Sequence, residues 1–193
     1  MPLPIKKYLA ERLSAFYSAV INAKAQMLLS QIKNKANVFI HDSFELGDTN
    51  FINVNGDIKK LCINENFTWR RSCNIYLHND ASLTINRNVF LNNYCSINCL
   101  GNIEIGENTI FGEGVKIYDH NHLYSKAGEL KVERDKFKIG KVVIGKNCWI
   151  GSNVIILNNV SIGDNVIIGA NCLINKSIPA NCIVKSKTEL IIE

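Results

Sequence analysis

Two histidines lie within one short polar stretch of the chain, which reads Tyr118-Asp119-His120-Asn121-His122. An imidazole titrates near neutral pH, so it can take a proton from a hydroxyl group and return it to a leaving group. If the stretch is extended, side chains two residues apart lean to the same side, so His120 and His122 compete for one role. We predict general-base chemistry here, with His122 as the first candidate and His120 as the second.

A charged excursion follows the two histidines. Residues 123–141 contain nine charged residues among nineteen and lack the periodicity of the flanking sequence. Long charged segments of this kind lie on the surface and often carry function. We expect the excursion to leave the main domain and to protrude beside His122, which favours catalysis over the alternative of an ordinary exposed turn histidine.

The surrounding sequence repeats every six residues. A run of three hexads begins at Ile85, a second run of three begins at Ile105, and weaker traces begin near Ile63. A period of six fits neither a helix nor a long alternating strand, but it is typical of short strands that coil and stack into a parallel β-helix. Six consecutive hexads near the end of the chain begin at Ile144, Ile150, Ile156, Ile162, Ile168 and Ile174.

Each position of the hexad has a distinct expected role. The first position carries a large inward aliphatic residue, and the fifth carries a second inward residue that is Val, Thr or Cys. Gly or Asn at position two and Asn at position four suit corners in which φ is positive. We therefore interpret the cysteines at position five as reduced, buried filler rather than disulfides or zinc ligands. They are Cys73, Cys95, Cys148 and Cys172.

The net charge of +5 belongs to residues 1–36, which hold six basic residues and one acidic residue, whereas the other 157 residues hold sixteen of each. The main domain has no basic excess, so we do not expect nucleic acid as a partner. The segment itself predicts an amphipathic helix, broken once near residues 22–24. We favour packing of its apolar stripe on the main domain or on a neighbouring subunit over contact with anionic lipid. The stripe consists of Ile5, Leu9, Leu13, Phe16, Val20, Leu28 and Ile32.

Over roughly residues 60–183 the hexads resemble those of the hexapeptide-repeat acyltransferases. The stretches 85–122 and 143–179 are most similar to galactoside and maltose O-acetyltransferases and to capsule or exopolysaccharide O-acetyltransferases. The resemblance implies a mainly β fold, a left-handed parallel β-helix, assembled as a homotrimer with active sites between subunits. It also implies a division into a basic helical segment (1–36), a β-helix acyltransferase domain (37–183) and a C-terminal tail (184–193).

The resemblance assigns catalytic and acceptor roles to single residues. The catalytic histidine of the family falls on His122, and an asparagine that contacts the acceptor falls on Asn92. Asp119 is a second candidate for the acceptor site. Either Asp119 or Glu104 would orient the imidazole.

The resemblance also implies acetyl coenzyme A as the acyl donor, with no metal. The aromatic residue of the family's N-x-W-I-G motif falls on Trp149, which we expect to lie along the pantetheine arm of coenzyme A. The chain departs from the family after Ile183, where the usual Gly-x-Pro-Ala segment is missing and two lysines offer charge to the phosphates instead. The expected coenzyme A residues are Trp149, Ser152, Ala170, Lys176, Lys185 and Lys187.

We therefore expect an acetyl-coenzyme-A-dependent O-acetyltransferase that modifies a sugar hydroxyl of a polysaccharide or oligosaccharide. The alternative acceptors are the amine of an amino sugar, serine and an antibiotic. A non-enzymatic scaffold is an alternative of another class. A further alternative is a metal enzyme of the γ-carbonic-anhydrase kind, with His78, His120 and His122 as ligands. However, His78 precedes His120 by 42 residues. That separation exceeds two coils, or roughly 11 Å at a strand spacing of ~4.8 Å.

The sequence predicts a cytoplasmic location. No apolar run approaches the ~18 residues that a membrane span needs, and the first residues lack a secretory signal. Contact of the basic helix with lipid would place the protein peripherally at the inner membrane.

Overall fold

The computed structural model describes residues 3–45, 49–126 and 128–187. A long helix, α1 (Leu3–Lys33), precedes twenty β-strands in the described residues, and eighteen of these strands form three sheets of six. Between residues 60 and 174 the chain passes from sheet I to sheet II to sheet III and then returns to sheet I one strand further along. The result is a coil with three walls, and we name each corner after the two sheets that it joins.

All pairs within the three sheets are parallel. Sheet I consists of β1 (Val38–Ile40), β3 (Lys60–Ile63), β6 (Ser82–Ile85), β9 (Asn102–Ile105), β14 (Lys141–Ile144) and β17 (Val160–Ile162). Sheet II consists of β4 (Thr68–Trp69), β7 (Phe90–Leu91), β10 (Ile110–Phe111), β15 (Trp149–Ile150), β18 (Ile167–Ile168) and β20 (Ile183–Val184). Sheet III consists of β2 (Phe51–Val54), β5 (Asn74–Leu77), β8 (Ser96–Cys99), β11 (Lys116–Tyr118), β16 (Ile155–Ile156) and β19 (Leu173–Ile174). The remaining strands, β12 (His120–Ser125) and β13 (Lys131–Ile139), form a separate antiparallel pair.

One turn of the coil takes eighteen residues where the hexads are regular, since Ile144 pairs with Ile162. The earlier coils are longer, because Ile63 pairs with Ile85 and Ile85 pairs with Ile105, which gives differences of 22 and 20 residues. The extra residues lie in the corners and weaken the sequence period there. The expected mainly β, parallel coil is confirmed, and its left hand stays a prediction from the family resemblance.

The interior is built from hexad positions one and five, as the sequence predicts. The first residues of the regular hexads, from Ile144 to Ile174, are all buried, and so are the four cysteines at position five. All seven cysteines are free thiols. Burial raises the pKa of the Cys148 thiol, so this group stays neutral and acts as an apolar filler.

Asparagine at position four occupies the left-handed backbone region that the corners require. The φ angles of Asn147, Asn153 and Asn165 are 55°, 58° and 57°. Their side chains also bond from coil to coil, since the Asn147 amide donates to Asn165 Oδ1 at 3.2 Å and the Asn165 amide donates to Asn181 Oδ1 at 2.9 Å. Asparagine therefore serves both the local turn and the stacking of successive turns.

Glycine at position two has a different role from the expected one. Gly106 and Gly151 are not among the residues with positive φ, so that part of the prediction is wrong. A Cβ atom on Gly106 would lie 2.4 Å from the carbonyl carbon of Gly145, and one on Gly151 would lie 2.6 Å from the amide nitrogen of Ala170. Glycine is required because successive coils touch at these corners.

Helix α1 is continuous from Leu3 to Lys33, so the expected break near residues 22–24 is wrong. Only its last turns pack on the coil, through Leu28, Leu29 and Ile32. The expected packing on the main domain thus applies to the last turns alone, and packing of the rest of the stripe on a neighbouring subunit stays a prediction. Among the described residues, no helix combines the length and apolarity needed to cross a membrane. Large apolar side chains between 42% and 69% exposed remain at Ile5, Tyr8, Leu9, Leu13, Phe16, Tyr17, Val20 and Met27.

Candidate active site

An antiparallel arm formed by β12 and β13 interrupts the coil between β11 and β14. In this arm His120 lies opposite Ile139, and His122 lies opposite Phe137. The arm follows the III–I corner, because the Asn121 side-chain amide donates to Asn158 Oδ1 at 3.0 Å in the next coil. The excursion expected over residues 123–141 thus begins three residues earlier, at His120, and carries both histidines.

Asp119 anchors the arm to the coil. Its side chain is completely buried. Its carboxylate accepts hydrogen bonds from the backbone amides of Leu100 and Gly101, at 2.9 and 2.8 Å. The carboxylate also raises the pKa of the neighbouring Cys99 thiol, in addition to the larger effect of burial. The expectation that Asp119 contacts an acceptor is wrong, because no part of its side chain reaches the surface.

Asp119 instead orients His120. Its Oδ1 lies 3.0 Å from Nδ1 of His120, so we assign the proton to Nδ1 and leave Nε2 as the basic nitrogen. The His120 ring stands edge-on to Tyr118 and Phe137, with centroid distances of 6.3 and 5.3 Å. Its side chain is only 15% exposed. The second candidate base is therefore a firmly held residue at the root of the arm.

His122 is exposed and faces an open groove. Its ring packs on Phe137 with a centroid distance of 4.6 Å and an interplanar angle of 42°. The groove has a volume of about 620 Å³ and two lysines in its wall. An accessible imidazole on an aromatic support, with cations nearby, suits proton transfer next to a developing negative charge. The groove is lined by Asn121, His122, Leu123, Tyr124, Lys126 and Lys138.

A second groove, which we call the Trp149 groove, lies on the outer face of sheet II and the adjoining II–III corner. Its volume is about 430 Å³. Trp149 is 53% exposed and pairs with Ile167, which pairs in turn with Ile183, so three large apolar side chains form an outward row. The groove is lined by this row, by Gly112, Gly151 and Gly169, and by Ser152, Ala170 and Lys185.

The structure brings together four of the expected coenzyme A residues, namely Trp149, Ser152, Ala170 and Lys185. Lys176 does not line this groove and is an exposed residue after β19, so its coenzyme A contact stays a prediction. Lys187 is exposed beyond β20. Part of the expected C-terminal tail, residues 188–193, lies outside the described residues.

The other residues singled out in the sequence lie apart from the two histidines. Asn92 is at the II–III corner, where its Oδ1 accepts from the Asn93 amide at 2.9 Å. Glu104 is on β9, paired with Val143, and no hydrogen bond in the described part of the chain joins it to an imidazole. His78 follows β5, two strands away from β11 in sheet III. Within the described ranges, no group of three His, Cys, Asp or Glu residues is placed to hold a metal ion.

The two grooves lie on different corners of one chain. The arm with His122 follows the III–I corner, whereas the Trp149 groove lies at the II–III corner, and sheet III separates them. The described residues of a single chain therefore do not bring His122 to Trp149.

Phe137 was missed in the sequence, although it supports both imidazoles. A signal for it exists, because Phe137 and Ile139 are apolar residues spaced by two in a charged stretch. That spacing indicates one face of a strand. The partner strand was missed because its own residues are mostly polar.

Comparison with known proteins agrees with this architecture. The model of the family "Bacterial transferase hexapeptide (six repeats)" matches residues 141–176. A solved structure of a mutant of AntD, an N-acyltransferase from Bacillus cereus, in complex with dTDP-4-amino-4,6-dideoxyglucose and coenzyme A, is similar with a TM-score of 0.55. The identity is 19%, over 83% of this chain and 84% of that chain. No significant match is found among curated proteins.

Two other solved structures show weaker similarity. A hexapeptide-repeat acetyltransferase from Vibrio cholerae O1 biovar eltor, complexed with acetyl coenzyme A, has 17% identity over 87% of this chain and 83% of that chain, with a TM-score of 0.48. A galactoside acetyltransferase in complex with coenzyme A has 20% identity over 87% of this chain and 77% of that chain, with a TM-score of 0.45. Residues 141–176 therefore match the bacterial transferase hexapeptide model, and the coil that they continue has the fold of the AntD structure.

Proposed function

We propose that this protein is an acyltransferase that moves an acetyl group from acetyl coenzyme A to a hydroxyl group of an oligosaccharide or polysaccharide. The observation that carries the proposal is the Trp149 groove, in which an indole and two isoleucines form an exposed apolar row beside glycine backbone. An apolar groove with few polar groups is the usual form of a small-molecule site. The similar fold of AntD, which is an N-acyltransferase in complex with coenzyme A, supports this choice of donor.

The Trp149 groove suits the long pantetheine arm of the donor. The arm is narrow, and the glycines of the II–III corner leave room for it against the backbone. Lys185 lies at the end of the groove formed by the last coils and offers a positive charge to the phosphates. The thioester then lies toward Gly112, at the end nearer to the earlier coils.

His122 is the proposed base. Its imidazole takes the proton from the acceptor hydroxyl while the oxygen attacks the thioester carbonyl, and a tetrahedral intermediate forms. A backbone amide near Ser152 donates to the oxyanion, and the imidazolium then gives its proton to the departing thiolate. Proton transfer of this kind contributes about 10²-fold to 10⁴-fold in rate. Asp119 and His120 hold the arm that carries His122, and His120 is the alternative base.

The complete site would lie between two copies of the chain, in a homotrimer. The arm and the Trp149 groove are on different corners, so the arm of one subunit must reach the groove of another. Closed cyclic assembly places unlike faces of successive subunits against each other and so supplies the required contact.

Product analysis tests the proposed reaction and its acceptor. The purified protein is incubated with acetyl coenzyme A and with neutral oligosaccharides, acidic oligosaccharides, amino sugars or serine, and the products are analysed by mass spectrometry. We expect an acetyl ester on a carbohydrate, which mild alkali removes. An alkali-stable amide would establish the amino-sugar alternative. Absence of transfer to every acceptor, without release of free thiol, would refute acyl transfer.

We also propose that α1 holds the protein at an anionic membrane surface. At 3.6 residues per turn, the exposed apolar side chains Leu9, Leu13 and Phe16 lie on one side of α1, with Arg12 on one flank and Lys24 on the other. Lysine and arginine beside an apolar face place their charged ends among lipid headgroups. With this arrangement, burial of the exposed apolar stripe in the lipid interface is more favourable than its exposure to water.

Co-sedimentation with vesicles tests the membrane contact. We expect binding to vesicles with anionic lipid, weaker binding to zwitterionic vesicles, and loss of binding in the variant Leu13→Ser/Phe16→Ser. The matched control is Ser18→Ala, on the opposite face of α1. Self-association through the stripe, without vesicle binding, would assign the stripe to a second copy of the chain instead.

A further inference from the structure

A third groove, which we call the arginine groove, lies at the II–III corner of the first coils. Its volume is about 510 Å³, and polar groups dominate its wall. The guanidinium group of Arg70 lies 5.7 Å from the centre of the Phe90 ring, and both Arg70 and Arg71 are exposed. Neither arginine has an ion-pair partner among the described residues. The other main lining residues are Thr49, Asn50, Asn93 and Tyr94.

The backbone that carries the two arginines is fixed by hydrogen bonds. The backbone amide of Arg71 donates to Asn93 Oδ1 at 3.2 Å, and the backbone amide of Ser72 donates to Thr49 Oγ1 at 3.0 Å. The Asn93 side-chain amide in turn donates to Glu113 at 2.8 Å, so that carboxylate is already engaged on the next coil. The backbone that carries two unpaired cations is thus fixed at the corner, which is an arrangement suited to an anionic ligand.

Tyr94 is an independent sign of function in the same groove. It occupies position four of its hexad, where the chain otherwise uses mainly asparagine, and its φ angle is 62°. This conformation strains a bulky residue, and the side chain is 64% exposed. An exposed aromatic ring in a strained position contributes nothing to the core. It does offer an apolar face on which a sugar ring can pack.

The arginine groove continues the Trp149 groove along the same corner. Asn93 lines the first, Gly112 lines the second, and the Gly114 amide donates to the Asn93 carbonyl at 2.9 Å, so the two grooves lie on successive coils of one corner. Successive coils are about 4.8 Å apart. A thioester at the Gly112 end of the Trp149 groove would therefore face a ligand in the arginine groove, with Asn92 at the junction.

From these observations we infer that the arginine groove binds the acyl acceptor and that the acceptor is an anionic carbohydrate, bearing a carboxylate or a phosphate. This inference rests on the proposed acyl transfer and names its substrate class. The two guanidinium groups bind the acidic group, and the Tyr94 ring packs on a sugar ring.

Two variants and one control test the inference. Arg70→Gln/Arg71→Gln removes both cations, and Tyr94→Asn restores the usual residue of the corner, which relieves strain and keeps the fold. Arg87→Gln is the control, since Arg87 is an exposed arginine at the I–II corner, paired with Glu107. The probes are a uronic-acid oligosaccharide, the same oligosaccharide after carboxyl reduction, and a nucleotide-diphosphate sugar.

Binding is measured by titration calorimetry without acetyl coenzyme A, so that the result does not depend on turnover. We expect one of the two anionic probes to bind the wild type and the control equally. We expect the arginine variant to bind it about 10-fold to 100-fold more weakly, because hydrogen bonds to charged groups are lost. The Tyr94→Asn variant should bind more weakly and melt at a higher temperature.

The preferred probe separates the two sources of charge, since the uronic acid indicates a carboxylate and the nucleotide sugar indicates a phosphate. Equal binding of the reduced, neutral oligosaccharide, or full binding by the arginine variant, would overturn the inference. So would absence of binding to both anionic probes. If an anionic probe binds through the arginines but acetyl coenzyme A is not consumed with any acceptor, the groove is an anion site, and its role as acceptor site fails together with the proposed acyl transfer.

Discussion

His120 and His122 stand two positions apart but lie in different environments. His120 has a buried carboxylate at Nδ1 and two aromatic rings against it, whereas His122 is exposed above Phe137 at the edge of a groove. A base must reach the proton that it removes, and only an accessible imidazole can do so. The environment therefore favours His122 as the base and His120 as a support.

The first prediction separates these two roles. In the His122→Asn variant we expect kcat/KM for the acceptor to fall about 10²-fold to 10⁴-fold, because the proton acceptor is lost. In the His120→Asn variant we expect a smaller fall, because asparagine still donates a hydrogen bond to Asp119. Initial rates of thiol release measure both. The reverse order of the two losses would make His120 the base.

The second prediction concerns the anchor of the arm. The Asp119→Asn variant retains the size of the side chain but replaces one carboxylate oxygen with an NH2 group. This group donates hydrogen bonds, and so do the backbone amides that it faces, so one hydrogen bond is lost. We expect a loss of about 1–3 kcal/mol in the free energy of unfolding. The control is Asp80→Asn, which changes an exposed ion pair worth under about 1 kcal/mol. Urea denaturation measures both, and equal losses would contradict an anchoring role.

For single residues, the sequence predicts which side chains are buried better than it predicts which side chains form the candidate active site. Hexad positions one and five specify the interior because every coil repeats the same inward geometry. Phe137 and Arg71 follow no such repeat, since the first lies on the arm and the second in a corner whose length varies. Their roles depend on contacts between distant parts of the chain, which no local pattern encodes.

The corners are the elements that determine how closely the coils stack. A Cβ atom on Gly106 would lie 2.4 Å from the carbonyl carbon of Gly145, which is too close for any side chain. A Cβ atom on Gly169 would lie 3.4 Å from its nearest atom, the carbonyl oxygen of Val184, which is an ordinary contact distance. The contrast follows from position, because Gly169 precedes the irregular end of the coil. Both glycines occupy position two of a hexad, Gly106 at the I–II corner and Gly169 at the II–III corner.

The third prediction uses this pair. We expect Gly106→Ala to lower the free energy of unfolding by about 1–3 kcal/mol, because two backbone segments must separate to admit a methyl group. We expect Gly169→Ala to change it by under about 0.5 kcal/mol. Thermal and urea denaturation of the two variants give the comparison. Equal stability of the two would show that the corner tolerates a side chain and that the hexad glycine has another cause.

The strands of the arm and the packing of α1 are the features of secondary and tertiary structure that the sequence pattern does not predict. Residues 120–139, which form the arm, include eight charged residues and a turn near Gly128, so its strands lack the alternating apolar face that identifies a strand in sequence. Helix α1 was expected from its apolar spacing, but that spacing leaves open whether the main domain, a neighbouring subunit or lipid covers the apolar face. The structure shows that the coil covers only Leu28, Leu29 and Ile32.

For the whole molecule, the main finding is the separation of the two grooves. One chain holds the proposed donor groove at the II–III corner and the proposed base at the III–I corner, so neither corner alone has the groups that the proposed acyl transfer needs. The repeat predicts a stack of coils, but it does not reveal which corners of different copies meet. A site shared between subunits explains why the two sets of residues are both exposed.

The fourth prediction tests this arrangement directly. His122→Asn removes the base, and Ala170→Glu places a bulky negative charge at an exposed position in the Trp149 groove, so each variant alone should be inactive. The two variants carry different affinity tags, are co-expressed, and their mixed oligomers are isolated through both tags. We measure the release of coenzyme A from acetyl coenzyme A in the presence of the carbohydrate acceptor.

In a trimer that contains both variants, one interface of the three pairs an intact base with an intact groove, so we expect the mixed oligomers to recover about a third of the wild-type rate. Mixed oligomers that remain as inactive as the two parent variants would contradict a catalytic site built from His122 of one subunit and the Trp149 groove of another.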